Sequence, residues 1–311
     1  MEVKVNANIT KELPIKKSRK KFFGSEAFYG YIFVSPMVLG FFVVMFIPFF
    51  YSVYMSLTDW KLLGDPNFIG SENYQRLVHD PDFWEVMKNT LLFSGGLVPI
   101  NIVIALLLAL LLQRNLPGIG FFRTAIFIPV MTSIVVWSII WKYMFGTEEG
   151  FINQILGAFG IDGPAWLYDP DLAMGAVIVV SALKNVGLNM VLFLAALQQV
   201  DKNLYEASYL DGANKLKQFW HVTLPMITPT VFLTLILTVI GSMKVFGQIY
   251  VMTGGGPGNH TKVLVYYIWE NAFKLFDFGY ASAIAIVLFS IILFFTLIQW
   301  GVRKRWVFHE Q

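Results

Sequence analysis

The sequence predicts an all-α integral membrane protein with six transmembrane helices and a cytoplasmic amphipathic loop between helices four and five. Three observations predict it. Of 311 residues, 56% are hydrophobic and 14% charged, with a mean hydropathy of +0.62, whereas ordinary soluble domains carry about 25% charged residues. Six apolar runs are each long enough to cross a hydrocarbon core, which takes about 20 residues of helix. Lys and Arg gather in every second connection. Backbone groups in lipid must be satisfied within their own segment, so helix is the expected state of each run. The alternating strands of a transmembrane barrel, about ten residues each, are absent.

A basic tail, residues 1–28, comes first and holds Lys4, Lys11, Lys16, Lys17, Arg19, Lys20 and Lys21. No small-residue cleavage site follows, so the first apolar run is expected to remain as a span. The spans lie near 29–56, 90–112, 121–145, 173–197, 229–252 and 280–300, within a transmembrane domain of 29–304, and residues 305–311 form a C-terminal tail. Arg114 and Arg123 fall between spans two and three. Lys202, Lys215 and Lys217 fall between four and five, and Arg303, Lys304 and Arg305 follow span six. The connection 146–172 has no Lys or Arg but holds Glu148, Glu149, Asp162, Asp169 and Asp171. The positive-inside rule then places both termini in the cytoplasm, and an odd number of spans would break the alternation. Trp60, Trp84, Trp141, Trp166, Trp269, Trp300 and Trp306 lie near span ends and read as interfacial anchors.

Several chemistries are not expected. With no cysteine there is no disulfide framework. His79, His221, His260 and His309 are scattered without metal-ligand spacing, so neither a metal nor a catalytic constellation is expected. No G-x-x-x-x-G-K-[ST] occurs. Thr253–Gly258, TGGGPG, lacks the Gly-Lys pair of a phosphate loop and reads as a tight turn needing positive φ.

The segment 203–228 is the polar exception among apolar runs. On a helical wheel Tyr205, Tyr209, Gly212, Ala213, Leu216 and Trp220 share one face, opposite Asn203, Glu206, Asn214, Lys217 and Gln218. Gly212 can also divide it into two short helices. Pro225 and Pro229 suit the start of the next span. Periodicity alone leaves two readings open: a helix lying in the membrane interface, or an apolar face docked into a groove on a partner.

Spacing within the segment is more specific. Glu206-Ala207-Ser208, three residues, Gly212, nine residues, then Val222-Thr223-Leu224-Pro225 resembles the EAA motif of permease subunits of binding-protein-dependent ABC importers. Ser208 stands where the motif has Ala, and Val222 where it has Ile. The stretches 56–60, 120–129, 184–198 and 244–261 are also similar to carbohydrate-importer permeases of the maltose, lactose and multiple-sugar type. The resemblance covers about residue 29 to the C-terminus. It implies a coupling-helix loop that seats on a separate ATPase, through Glu206, Ala207, Ser208, Asp211, Gly212, Ala213, Leu224 and Pro225. The implied partners are a second, homologous permease in a heterodimer, two ATPase subunits and an extracytoplasmic solute-binding protein. The substrate is a carbohydrate and the setting is the lipid bilayer of the bacterial cytoplasmic membrane. No nucleic acid is implied. ATP and Mg would be bound by the ATPase partners, with no cofactor in this chain.

Polar residues inside membrane spans are functional candidates by default. Lys184, Asn185 and Asn189 fall in span four, and Lys244 and Gln248 in span five. Each of the pairs Asn185/Asn189 and Lys244/Gln248 is four residues apart, a same-face spacing on a helix. With the aromatic planes of Phe246 and Tyr250, they suit a hydroxyl-rich solute. Gly187 and Gly247 permit close helix approach. An ion-driven secondary transporter is the alternative, but it would favour intramembrane carboxylates, which spans two to six lack.

Overall fold

The computed structural model describes residues 26–114 and 117–306. The basic run Lys4–Lys21 and the tail residues 307–311 lie outside the described residues. Among the described residues, five helices are long and apolar enough to cross a membrane: Phe28–Met55, Pro81–Leu112, Ala173–Gln199, Lys215–Met243 and Phe278–Arg303. A sixth span consists of two pieces, Ile119–Met131 and Ile134–Met144, bent by 102°. No β-strand forms among the described residues. Thr58 bridges to Phe68 and Lys61 to Asp277 as isolated antiparallel pairs.

The chain divides into two compact units, one ending at Tyr51 and the other starting at Ser52. In the first, α1 (Glu26–Phe41) passes through a π-helical turn, Phe42–Phe46, into α2 (Ile47–Met55), whose last four residues belong to the second. The widened turn has a local cause. Pro48 has no N–H to offer the Val44 carbonyl, and the Ile47 N–H just before it reaches back five residues to Phe42. The same device recurs before Pro225, where the Leu224 N–H bonds the Phe219 carbonyl and closes a π turn at Phe219–Thr223.

In the second unit, α3 (Glu72–His79) leads to α4 (Pro81–Leu112). Asp80 caps α4 by accepting from the Asp82 N–H, and Pro81 takes the first turn, where its missing N–H costs nothing. This cap starts the helix nine residues before the expected span at 90, because the added turns are polar. Next come α5 (Ile119–Met131), α6 (Ile134–Met144), α7 (Phe151–Ala158) and α8 (Ala173–Gln199). The expected single span 121–145 is therefore broken at Thr132 and Ser133, whose ψ angles of 141° and 139° leave the helical region. After α8 follow α9 (Lys202–Leu210), α10 (Lys215–Gln218), α11 (Leu224–Met243), α12 (Gly247–Met252), α13 (Leu264–Trp269) and α14 (Phe278–Trp306). Expected span 229–252 is likewise interrupted, between Met243 and Gly247.

The buried core lies in three clusters. Phe93, Val177 and Ile249 centre one, with Trp137 and Trp141 packed against it. Ala105, Met190 and Ile227 centre another, where α4, α8 and α11 meet. Phe83, Leu264 and Tyr280 centre the third, joining α4, α13 and α14. Polar ties cross these seams: Asn101 donates to the Ala182 carbonyl (3.2 Å), Trp137 Nε1 to Val180 (3.0 Å), and Ser242 to Ser94 (3.0 Å).

The α5–α8 crossing is very close. A Cβ on Gly187 would stand 2.4 Å from the Ile126 carbonyl oxygen. One turn away, Lys184 Nζ donates to the carbonyls of Pro129 and Thr132, at 2.7 Å each. Those carbonyls belong to the end of α5, where intrahelical partners run out, and a cation is favoured there.

The tryptophans divide into two groups. Trp84 and Trp300 are exposed, as interfacial anchors would be, but Trp141, Trp166 and Trp269 pack against the first core cluster. Trp60 lies on the Phe278 ring at 4.8 Å. Spacing near a span end does not separate an anchor from a core aromatic.

Candidate functional site

The polar segment folds as two short helices joined by a tight turn. Asp201 caps α9 by accepting from the Asn203 N–H, and Asn214 caps α10 by accepting from the Lys217 N–H. Gly212 ends α9 with φ +78. The Ala213 N–H reaches the Ser208 carbonyl and the Gly212 N–H reaches that of Tyr209. This pair of bonds is the Schellman closure of a helix C-terminus, in which glycine tolerates the left-handed backbone. The arms are tied at their base by Tyr205 Oη with Thr223 Oγ1 (3.0 Å), and Gln218 Nε2 lies 3.4 Å from the Tyr205 carbonyl.

Of the expected apolar face, Tyr205 packs against the second core cluster, whereas Tyr209 (74% exposed), Leu216 (67%) and Trp220 (57%) are open. Glu206, Ala207 and Asp211 are also exposed, and Ser208 and Ala213 are half-buried. No hydrogen bond or ion pair engages the Glu206 carboxylate among the described residues. Leu224 packs against the second cluster with Val222 and Met226, and Pro225 falls in the first turn of α11. The segment thus presents an apolar surface with a free acid from a base built into the helix core.

Asn185, Asn189, Lys244, Phe246 and Gln248 all line one cavity of about 370 Å³ between α4, α8, α11 and α12. Lys244 and Gln248 do not reach it by sharing a helical face, because the chain leaves the helix between them. The break itself brings both to the cavity wall. Their roles differ. Asn189 Nδ2 donates to Asn101 Oδ1 (2.6 Å) and Thr238 Oγ1 (3.0 Å), tying three helices together. Asn185 is exposed to the cavity and bonds only the Ser181 carbonyl of its own helix. Tyr250 lies off the cavity, stacked on Phe246 at 5.3 Å and edge-on to Trp269 at 4.9 Å.

Sequence reasoning missed Asn101, Thr238 and Ser242. Asn101 is the one whose signal was available, a lone amide in the apolar run 97–112. The TGGGPG stretch is a turn, with positive φ at Gly254, Gly255 and Gly258. It is fastened to α4 by Asn89, which donates to the carbonyls of Asn259 (2.8 Å) and Lys262 (3.1 Å). No cluster of metal-ligating side chains occurs among the described residues.

A polytopic helical protein with a polar cavity beside an interrupted span, and an exposed two-helix loop beneath it, has the architecture of a membrane transport subunit. The chain belongs to the family described as binding-protein-dependent transport system inner membrane component, which matches residues 101–307. It is 37% identical over 274 residues to a probable ABC transporter permease protein, YurN, of Bacillus subtilis (strain 168), covering 86% of this chain and 94% of that one. It is 36% identical over 283 residues to the lactose transport system permease protein LacF of Rhizobium radiobacter, covering 89% and 94%. In fold it matches a chain of a bacterial alginate ABC transporter solved in complex with an alginate pentasaccharide-bound periplasmic protein. The TM-score is 0.80 at 22% identity, covering 89% of this chain and 94% of that one. The protein is therefore an integral inner-membrane permease subunit of an ABC importer.

Proposed function

We propose that this permease forms half of the translocation pathway for a sugar or oligosaccharide, with a second, homologous permease forming the other half. An extracytoplasmic binding protein delivers the solute, and two separate ATPase subunits bind ATP and Mg and drive the cycle. The observation that carries this reading is the exposed loop Lys202–Thr223, with EAA spacing, a Schellman turn at Gly212 and an unpaired Glu206. Only an element anchored at its base and open at its tip can both seat on a partner and pass motion into the spans. Tyr205, Thr223 and Leu224 provide the anchor. Both termini and this loop then lie on the cytoplasmic side, as the distribution of Lys and Arg supports.

The cavity is the proposed solute site. Asn185 and Gln248 offer amide donors and acceptors, and Phe246 offers an aromatic plane, a combination suited to hydroxyl-rich rings. Relatives named for lactose, arabinooligosaccharide, and trehalose and maltose transport support the substrate class.

The test is co-expression of this chain with its partner permease and ATPase, as wild type and with Glu206→Lys. The wild-type complex is expected to hydrolyse ATP faster when sugar-loaded binding protein is added, and Glu206→Lys to weaken that stimulation while the chain still inserts. A chain that purifies alone, recruits no ATPase and still moves solute would favour an ion-driven carrier instead.

A further inference from the structure

The cavity has a single ionisable side chain in its wall, Lys244. Two other lysines that lie against neighbouring membrane helices, Lys142 and Lys184, are tied to backbone. Lys142 Nζ donates to the Val251 carbonyl at 3.2 Å, and Lys184 Nζ to those of Pro129 and Thr132. Lys244 Nζ has no hydrogen-bond acceptor and no carboxylate partner among the described residues. Pairing with a nearby carbonyl would be the bland fate of such a residue, and Lys142 and Lys184 show how that looks here. Lys244 does not follow them. It stands where α11 ends and its backbone turns toward α12, and it is exposed. An ammonium in the wall of a cavity among membrane helices, with no counter-charge, is costly and persists where something supplies the charge.

We propose that the solute supplies it: the transported sugar carries a carboxylate, as a uronic acid residue does, and Lys244 pairs with that carboxylate inside the cavity. This rests on the sugar-permease reading and narrows its substrate class. Charge matching favours a carboxylate over a phosphate. One lysine offers one positive charge, and the remaining polar lining groups are neutral hydroxyls and amides such as Asn185, Ser242 and Gln248. A phosphate monoester carries about −1.5 to −2 at neutral pH and would leave negative charge uncompensated in a low-dielectric site. The neutral amides remain for the ring hydroxyls.

The experiment uses the complete complex in proteoliposomes, with its binding protein. The probes are a panel of uronate-containing disaccharides and the same disaccharides with each carboxyl reduced to the alcohol. Stabilisation of the binding protein and stimulation of ATP hydrolysis are read for each matched pair. The proposal expects the acidic member to be preferred at least tenfold. It expects Lys244→Gln to lose most of that preference in the transport step, and Lys244→Arg to keep it. Preference for the reduced, neutral members would overturn the acidic-sugar proposal while leaving the sugar-permease reading standing. No response to any member of either set would overturn the acidic-sugar proposal. An equal response to both members, or a Lys244→Gln chain that fails to assemble with the second permease whatever the solute, would also overturn the proposal. The last result would make the partner permease the source of the counter-charge.

Discussion

The ammonium of Lys184 on α8 sits 2.7 Å from the carbonyl oxygen of Thr132, at the point where the third span breaks. With its bond to Pro129 it caps the end of α5 from the neighbouring helix. Hydrogen bonds to charged groups contribute roughly 1.5–3 kcal/mol each. Lys184→Met should therefore lower the thermal stability of the purified complex by several degrees. Melting followed by size-exclusion in detergent would measure this, and an unchanged midpoint would show that the cap is dispensable.

Gly187 makes a second prediction about the same crossing. A methyl group there meets the Ile126 backbone at 2.4 Å, whereas one on Gly175 of the same helix meets nothing within 4 Å. Backbone cannot swing aside as a side chain can. Gly187→Ala should cost about 1–3 kcal/mol, the usual range for overpacking, and Gly175→Ala should be neutral or slightly stabilising. Melting of the two variants side by side separates helix approach from generic glycine effects.

Asn185 and Asn189 should behave oppositely although both line the cavity. Asn189→Ala removes a donor shared by Asn101 and Thr238, and interhelical bonds of this kind are worth about 0.6 kcal/mol each in membranes, with a ceiling near 1.7. Its main effect should be lower stability. Asn185→Ala breaks only a bond within its own helix. It should leave melting unchanged and raise the concentration of loaded binding protein needed for half-maximal ATP hydrolysis.

At Gly212 the constraint is conformational and not steric, since φ is +78 and an added Cβ would meet nothing within 4 Å. Gly212→Ala should cost about 1 kcal/mol through the left-handed backbone alone. Gly212→Asn should cost less, because asparagine tolerates that region. Coupled ATP hydrolysis should follow the same order: glycine, asparagine, alanine.

Asp80 controls an acid limb. Its Oδ2 accepts from Tyr267 Oη (2.6 Å) and Tyr280 Oη (2.5 Å). Burial works to raise its pKa, but these hydroxyls and the N–H groups of Phe83 and Asp82 outweigh burial and hold it below the ordinary 3.8. A carboxyl depressed on folding adds stability that is fully present above its unfolded pKa and is lost as pH falls through the folded value. Stability from this group should therefore persist down to about pH 4 and fall below it, and Asp80→Asn should flatten that fall. Melting curves at about pH 7 and about pH 3 for both chains would check this.

Much of this protein is determined by local properties of its sequence. The apolar runs require helices because lipid offers the backbone no partners, and their lengths locate the spans. Pro48 and Pro225 each produce a π turn from the N–H that they lack. The loop's caps and its turn at Gly212 follow from Asp201, Asn214 and a glycine at the C-terminus of α9. The breaks in spans three and five were not legible, because the polar pair Thr132–Ser133 and the single charge of Lys244 barely lower the hydropathy of the apolar runs around them, and a hydropathy pattern cannot register a bend. Only the packed structure decided which intramembrane polar residues hold helices together and which face open space. Lys184, Asn185, Asn189 and Lys244 look alike in sequence. The difference is whether a neighbouring helix brings an acceptor within hydrogen-bond reach, and that depends on crossings such as Gly187 on Ile126, set by residues far apart in the chain.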